Sequence, residues 1–326
     1  MTRHRHALPL LGGLLASALA ALAWALSAGD LPITPAEALA AALGGGSDTA
    51  ADVVRALRLP RAVAAFTCGG LLALAGALLQ VLLRNPLADP YVIGISGGAA
   101  VGALLAILAG AASLLVDAGA AVGAMAAMLL VFGLAHGDGS WTQTRLLLTG
   151  VIVAAGCGAV VSLLLAIAPD TRLQGMVFWL LGDASGATQP WPAFCLLLVL
   201  LACALPHARE LNLLARGELN ARALGVQVTR LRTLVYVLAS LATASAVTLV
   251  GPVGFVGLIV PHLVRLAIGN DQRLLLPAAV LAGGCLLTAA DTLARTIVAP
   301  AQLPVGVLTA LFGVPIFLFL LSRQPR

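Results

Sequence analysis

The chain has 326 residues, of which 61% are hydrophobic and only 10% are charged, and its formal net charge at pH 7 is +5. Globular domains carry about 25% charged residues, so the composition excludes a water-soluble fold and indicates a chain that crosses a bilayer several times. All 18 basic residues are arginine. A phosphate-binding P-loop needs a lysine that reaches the terminal phosphates, so the sequence excludes an ATP-hydrolysing subunit of that class.

Apolar stretches of about 20 residues, each long enough to cross roughly 30 Å of hydrocarbon as a helix, predict the elements of the fold. In several of them small residues recur at every fourth position, as at Ala65, Gly69 and Ala73, which lets membrane helices approach closely. The sequence therefore predicts an all-α, polytopic membrane protein, a tightly packed bundle forming a single domain over residues 1–326. In chain order, about ten stretches lie near residues 8–28, 62–83, 91–110, 114–135, 146–167, 190–206, 232–250, 254–269, 274–298 and 304–321.

The first stretch bears on the orientation of the bundle. An even number of spans puts both termini on one side, and the positive-inside rule makes that side cytoplasmic, because arginines flank both ends of the chain at Arg3, Arg5, Arg323 and Arg326. A cleaved signal peptide that ends near residues 25–27 is the alternative for residues 1–28. The apolar run of about 21 residues is long for a signal peptide, which favours a retained first helix.

Three arginines, Arg55, Arg58 and Arg61, precede the second stretch at i, i+3 and i+6, on the side opposite to the termini. Basic residues are disfavoured on that side, so the cluster indicates an acidic partner. Lipid phosphate and carboxylates on a docking protein both fit, since matched charges set orientation and association rate, and either partner requires these arginines to be exposed. Near the same end of the ninth stretch, Asp291 and Arg295 are four residues apart and can pair within their helix, which is the purely structural interpretation of Arg295.

A polar hinge, "RNPLADP" over residues 84–90, follows the second stretch on the cytoplasmic side. Its two prolines push the residues before them out of helical conformation, so we expect a rigid loop. "GSWTQTR" over residues 139–145 is a second polar cytoplasmic loop. The run after the hinge, 94–98, fits the G-x-S-x-G pattern of hydrolase nucleophiles, but no strand precedes it, so we interpret it as helix packing.

The longest polar segment, residues 207–232, contains five arginines against Glu210 and Glu218. Gly217 and Gly225 suit helix ends that need a positive φ, and between them lie about two helical turns with Glu218 and Arg222 at i, i+4. A short helix with apolar and charged faces is suited to docking a soluble partner. A basic helix that binds anionic lipid at the membrane surface is the alternative, and this segment alone does not decide between them.

We predict no metal site and no cofactor. The five cysteines lie in apolar stretches without C-x-x-C spacing, which is typical of small hydrophobic residues in a helix bundle. Two histidines near the N-terminus, His4 and His6, are interpreted as added positive charge. The cysteines are Cys68, Cys157, Cys195, Cys203 and Cys285.

Four stretches carry a close resemblance to a known family: "RLPRAVAAFTCGGLLALAGALLQVLLRNPLADPYVIGISGGAAVGA", "GELNARALG", "GPVGFVGLIVPHLVRL" and "ADTLARTIVAPAQLPVGVLTALFGVPIFLFLL". From about residue 50 to the C-terminus the chain resembles the permease subunits of binding-protein-dependent importers for iron chelates, haem and cobalamin. The resemblance implies a bacterial inner-membrane permease of ten helices. It also implies a dimer with a second permease copy, two ATPase subunits and a periplasmic substrate-binding protein, and no nucleic-acid partner.

The resemblance also implies roles for particular residues, and it favours protein docking over lipid binding for both basic segments. A cytoplasmic gate is implied at Asn85, Pro86, Leu87, Thr142 and Gln143. Coupling to the ATPase is implied for the segment 207–232, at Arg216, Gly217, Glu218, Arg222 and Gly225. Docking of the binding protein is implied at Arg58, Arg61 and Arg295. The gate loop departs from the family in its bulkier Trp141.

An ion-coupled secondary transporter is the alternative function. Such proteins place ionisable groups near the bilayer midplane, whereas the charges of this sequence, Asp117 and Asp291 included, lie at the ends of the stretches. An intramembrane enzyme is disfavoured because no catalytic pair accompanies the small-residue motif. The sequence does not distinguish a ferric siderophore, haem and cobalamin as the cargo.

Overall fold

The computed structural model describes residues 4–29, 31–46, 49–135 and 142–322, and within these ranges all regular secondary structure is helical. The first half of the fold consists of α1 (His4–Ser27), α2 (Pro35–Ala42), α3 (Thr49–Val53), α4 (Leu59–Leu82), α5 (Ile95–Ala109), α6 (Ser113–Ala135) and α7 (Gln143–Ile167). The second half consists of α8 (Asp170–Leu181), α9 (Trp191–Ala204), α10 (Ala208–Ala215), α11 (Glu218–Ala223), α12 (Val228–Val250), α13 (Val256–Ile268), α14 (Gln272–Thr296) and α15 (Val305–Ser322).

Every one of the predicted apolar stretches is helical. In the part of the chain that the structure describes, seven helices are long and apolar enough to cross a membrane: Pro9–Ser27, Thr49–Leu82, Ser113–Ala135, Gln143–Ile167, Trp191–Ala215, Val228–Val250 and Gln272–Thr296. The helices Ile95–Ala109, Val256–Ile268 and Val305–Leu320 are apolar but shorter. The helices α2, α3 and α8 were not predicted, nor was a π-helical turn, Val54–Arg58, that joins α3 to α4.

Helix α4 is the centre of the bundle, and from Cys68 to Leu82 every residue is buried. Its glycines permit backbone contact with two neighbours. A Cβ on Gly69 would lie 2.1 Å from the carbonyl oxygen of Gly283 in α14, and one on Gly76 would lie 1.8 Å from that of Gly257 in α13. A side chain at either position would force the helices apart, which confirms the packing role predicted for the small residues.

The pair α5 and α6 packs in the same way through a second glycine ridge. Cβ atoms on Gly98 and Gly102 would lie 2.3 Å and 2.0 Å from the carbonyl oxygens of Gly123 and Gly119. Ser96, within the G-x-S-x-G pattern, is buried beside this ridge. The interpretation of this motif as helix packing agrees with its position.

Helices α12 and α13 are separated by a non-helical segment, residues 251–255, inside the bundle. Helix α13 has 13 residues and is therefore about 20 Å long, short of the roughly 30 Å of a bilayer core. It begins beside Gly76, well inside α4. Phe255 has a φ of 68°, unusual for a residue with a side chain. Non-helical backbone at membrane depth is tolerated where protein buries it or where it lines a cavity.

The bundle has two polar ends, one at each end of the long helix α4. The loop end contains the loop 83–94, the start of α7 and the segment 207–232. The arginine end contains the start of α4, Asp183 and residues 291–302. Much of the outer surface between the ends is apolar and uncovered, as at Leu114 and Ile152, which are 77% and 70% exposed. Lipid or other chains cover such a surface.

Candidate functional site

At the loop end, a side chain at the first residue of α7 fastens α7 to the end of α4. The Gln143 Nε2 donates to the carbonyl oxygen of Leu82 at 2.8 Å, and its Oε1 accepts from Arg84 Nε at 3.1 Å and from Nη2 at 2.9 Å. The structure thus brings together the two loops predicted to form a gate. Arg84, which bonds Gln143 from the other loop, was not among the predicted gate residues.

The loop from Leu83 to Gly94 is held by local hydrogen bonds. Arg84 has a φ of 47°, and the amides of Arg84 and Asn85 bond the carbonyl oxygens of Val81 and Gln80 in a Schellman motif. Glycine usually occupies this position, since a side chain costs about 1–2 kcal/mol there. The Asn85 Oδ1 accepts from the amide of Leu87 at 2.9 Å. These bonds agree with the rigid loop that the prolines predicted.

The remaining predicted gate residues lie at the same end. Pro86 is exposed and Leu87 is half-buried. The Thr142 Oγ1 accepts from the amide of Arg145 at 3.2 Å and so caps α7. Trp141, the departure from the family pattern, lies outside the described residues.

Asp89 caps the short helical turn Pro90–Ile93 through a 2.8 Å hydrogen bond from the amide of Tyr91. Burial raises the pKa of Asp89 to about 6, and the hydrogen bond from Tyr91 acts in the opposite direction. The loop therefore carries a carboxyl group that titrates close to physiological pH.

The Tyr91 side chain leads from this loop into an apolar groove. Its hydroxyl oxygen accepts from the amide of Val253 at 2.6 Å, which supports the non-helical segment 251–255. The groove has a volume of about 780 Å³. It is lined by the end of α8, the non-helical segment and one face of α15, at Tyr91, Leu180, Leu181, Pro252, Gly254, Gly306, Val307, Ala310, Leu311, Val314 and Pro315.

The short helix α11 in the segment 207–232 is tied to the long helix α12. Glu218 bonds Arg222 at 2.6 Å, as predicted from their spacing, and its second oxygen bonds Arg232 of α12 at 2.6 Å, which was not predicted. Burial of the Glu218 carboxyl acts to raise its pKa, but Arg232 and Arg222 outweigh this effect and hold the pKa below its usual value. Gly217 and Gly225 have φ values of 126° and 82°, which confirms the predicted helix ends.

The preceding helix, α10, is tied to α14. The Asn212 Nδ2 donates to Asp271 Oδ1 at 2.8 Å, and Asn212 Oδ1 accepts from the amide of Gln272 at 2.9 Å. Together with the bond from Glu218 to Arg232, this fixes the segment to two long helices. Its outer face remains free for contacts, since Leu219 is 84% exposed. Arg216 lies beside α11 and is also exposed.

At the arginine end, the expectation of exposed arginines is wrong for Arg58 and Arg61, which are buried. The Arg58 guanidinium donates to the carbonyl oxygens of Leu26 and Ser27 at 2.9 Å and of Leu31 at 2.6 Å. It thereby satisfies carbonyl groups at and just beyond the end of α1. The sequence pattern did not predict this, because the accepting residues lie about 30 positions away.

Asp291 and Arg295 do not form the hydrogen-bonded pair that their spacing allows. Asp291 accepts two hydrogen bonds of 2.9 Å from Arg61, whose Nη1 donates to Gln302 at 2.6 Å. Arg295 instead donates to carbonyl oxygens of Ala25 and Ala28 near the end of α1. A partner 230 residues away replaces the local one because it offers a bidentate, buried geometry.

The molecule is an apolar helical bundle in which a broken pair of helices lies beside an apolar groove, and polar loops are tied together at one end. Membrane transport proteins have this construction. Residues 16–323 match the profile of the FecCD transport family, and the chain belongs to that family. It is a membrane permease of the class that imports chelates in ABC systems.

Curated relatives and a solved structure agree with this assignment. The chain is 41% identical over 335 residues to the cobalamin import system permease protein BtuC of Halobacterium salinarum, covering 100% of this chain and 85% of that relative. It is 43% identical over 278 residues to the hemin transport system permease protein HmuU of Yersinia pestis, covering 82% of each. A solved metal-chelate type ABC transporter in an inward-facing conformation is 32% identical, with a TM-score of 0.84 over 98% of this chain and 100% of that one.

Proposed function

We propose that the chain is the permease subunit of a binding-protein-dependent importer that moves a metal chelate, either a ferric siderophore, haem or cobalamin, across the bacterial inner membrane. ATP is hydrolysed on a separate subunit. The observation that carries the proposal is the apolar groove beside the broken helices α12 and α13, because non-helical backbone at membrane depth is tolerated where it lines a passage or is buried in protein. Relatives named for cobalamin and hemin import support the cargo class.

The working unit is proposed to be a homodimer. The groove is open on one side, where Leu311 and Phe312 of α15 are 64% and 53% exposed. A second copy facing this side would close two such grooves into one passage between the protomers. The predicted arrangement of about ten spans, with both termini in the cytoplasm, places the loop end on the cytoplasmic side.

The segment 207–232 is proposed to couple the permease to the ATPase. Its two short helices are too short to be stable alone, so they depend on their bonds to α12 and α14. A rigid attachment of this kind transmits movement of a docked partner to both long helices. Arg216, Arg222 and Leu219, which are exposed, face outward from the segment.

The arginine end is proposed to receive the binding protein. Arg58, Arg61 and Arg295 lie there with the carboxylates of Asp183 and Asp291. Because Arg58 and Arg61 are buried, an acidic partner reaches Arg61 only from the side of Asp183. That carboxylate is 32% exposed and lies 3.8 Å from Arg61, so it is the group that a docking carboxylate would replace.

The test is uptake by liposomes containing the permease, its ATPase and its binding protein, with cyanocobalamin, hemin and a ferric hydroxamate offered separately. We expect uptake of one of the three that requires both ATP and the binding protein. Uptake driven by a proton or sodium gradient without ATP would instead establish the alternative, an ion-coupled secondary transporter. ATP-dependent transport of none of the three would contradict the cargo class.

A further inference from the structure

We propose that Arg84 is a positioning residue of the inner gate. Through Gln143 it fastens the loop 84–87 to the start of α7, so that the two gate segments of one protomer act as one part. The inference rests on the proposed function, which gives these loops their role as a gate. The contacts of Arg84, its backbone conformation and its place beside α11 each support it.

The first support is the geometry at Gln143. Both polar atoms of its amide are used, since Nε2 donates to the carbonyl oxygen of Leu82 while Oε1 accepts two bonds from the Arg84 guanidinium. The carbonyl of Leu82 belongs to the last turn of α4 and has no partner within that helix. The two bonds from Arg84 orient the amide so that its nitrogen faces this carbonyl. Arg84 therefore acts on the α4–α7 contact through Gln143.

The second support is the backbone of Arg84. Its φ of 47° is in the left-handed region, at the helix-end position that glycine occupies in most Schellman motifs. Glycine would adopt this conformation without strain. An arginine that is strained in the folded chain, and whose side chain makes a bidentate contact across two loops, indicates that the guanidinium has a function.

The third support is the position of Arg84 beside the coupling segment. Arg84 lines a cleft of about 510 Å³ together with Gly217, Glu218, Leu219, Asn220 and Arg222 of the segment that holds α11. Glu218 ties this same segment to α12. The gate contact therefore lies next to the element proposed to bind the ATPase, and displacement of α11 changes the surroundings of Arg84 directly.

The inference is tested with variants that separate strain from contact. Arg84→Gly removes the guanidinium and relieves the backbone, so loss of folding is not expected. Gln143→Ala removes the same contact from the other side, and Arg84→Lys keeps the charge without the bidentate geometry. Arg273→Ala is the control, because Arg273 is exposed at the same end and lies outside both gate loops and the segment 207–232.

Two measurements are made on the permease–ATPase complex in liposomes without nucleotide. Efflux of trapped carboxyfluorescein reports the gate, and hydrogen exchange of the amides in residues 143–148 reports the α7 contact. We expect Arg84→Gly and Gln143→Ala each to raise efflux and exchange about threefold to tenfold, and the double variant to equal either single variant. Arg84→Lys should give values between those of the two variants and the wild type, and Arg273→Ala should behave as the wild type.

Wild-type efflux and exchange in Arg84→Gly would overturn the inference, as would effects that add in the double variant. ATP-driven chelate uptake by the wild-type complex is measured in parallel. Its absence would count against the proposed function, whereas the exchange measurement decides the Arg84 contact independently of any cargo.

Discussion

The two polar ends of the bundle are held together by different chemistry. At the arginine end, buried guanidiniums bond carboxylate and carbonyl groups of α1 and α14, and Asp291 is only 2% exposed. At the loop end, the contacts between Arg84 and Gln143 and between Glu218 and Arg222 are exposed. Breaking a buried ion pair costs about 3–5 kcal/mol, whereas an exposed pair contributes about 0–1 kcal/mol. The buried contacts of the arginine end should therefore be harder to break than the exposed contacts of the loop end.

The largest effect is expected from breaking the buried pair at the arginine end. Asp291→Ala leaves the Arg61 guanidinium buried without its bidentate acceptor, so the free energy of unfolding should fall by about 3–5 kcal/mol. Thermal unfolding in detergent measures this loss. Asp183→Asn is the matched control, since Asp183 is more exposed and 3.8 Å from Arg61, and its change should stay below about 1 kcal/mol. Equal losses in the two variants would contradict the comparison.

An intermediate effect is expected at the loop end for Glu218, because its carboxylate bonds the nearly buried side chain of Arg232. Glu218→Gln weakens the bond to Arg232, whose side chain is 8% exposed, and should cost about 1.5–3 kcal/mol in the attachment of α11. We expect uptake per ATP hydrolysed to fall about tenfold while the amount of permease in the membrane is unchanged.

Glu210→Gln is the matched control for Glu218→Gln, because Glu210 contacts only the half-exposed His207 among the described ion pairs. Uptake by this control should equal that of the wild type. Normal coupling in Glu218→Gln would show that the bond to Arg232 is not needed to transmit movement.

The smallest effect is a pH dependence confined to the loop 84–94. The pKa of Asp89 is raised in the folded chain to about 6 from 3.8, so its contribution to stability is complete below about pH 4 and is lost as pH rises through 6. Corrected hydrogen exchange of the amides of residues 91–94 should therefore increase between pH 5 and pH 7, by about threefold because the carboxyl is partly exposed. Asp89→Asn keeps the cap and should remove the pH dependence. A dependence that persists in this variant would assign it to another group.

The helices were predictable from the sequence because apolar length and small-residue spacing are local properties. The same holds for the helix ends at Gly217 and Gly225 and for the pair of Glu218 with Arg222. The partners of Arg58, Arg61 and Arg232 were not predictable, since the groups they bond are 14 to 241 residues away.

Two further features were missed for different reasons. Helix α8 carries Asp170 and Arg172 and is only 12 residues long, so it does not meet the length criterion of a span. The only sequence signal of Arg84 is that an arginine stands at a helix end where glycine is usual, and this signal can be recognised only once the helix end is known. The prediction that Arg58 and Arg61 are exposed was wrong, because charge alone does not reveal which backbone carbonyl groups lie near an arginine in the fold.

The π-helical turn Val54–Arg58 sets the angular phase between α3 and α4. In a regular α-helix each residue advances by about 100°, whereas a π turn is wider and holds more residues, so relaxing these five residues to α-helical geometry would rotate everything before them relative to α4. Ala51 and Val54 would then leave the small core they share with Ala25 and Ile33. Within the turn, substitutions should consequently be tolerated at the exposed Ala56 and Leu57, but not at Val54 or Arg58, which are buried against the N-terminal part of the chain. The width of the turn and the side chains it carries together keep that part in phase with α4.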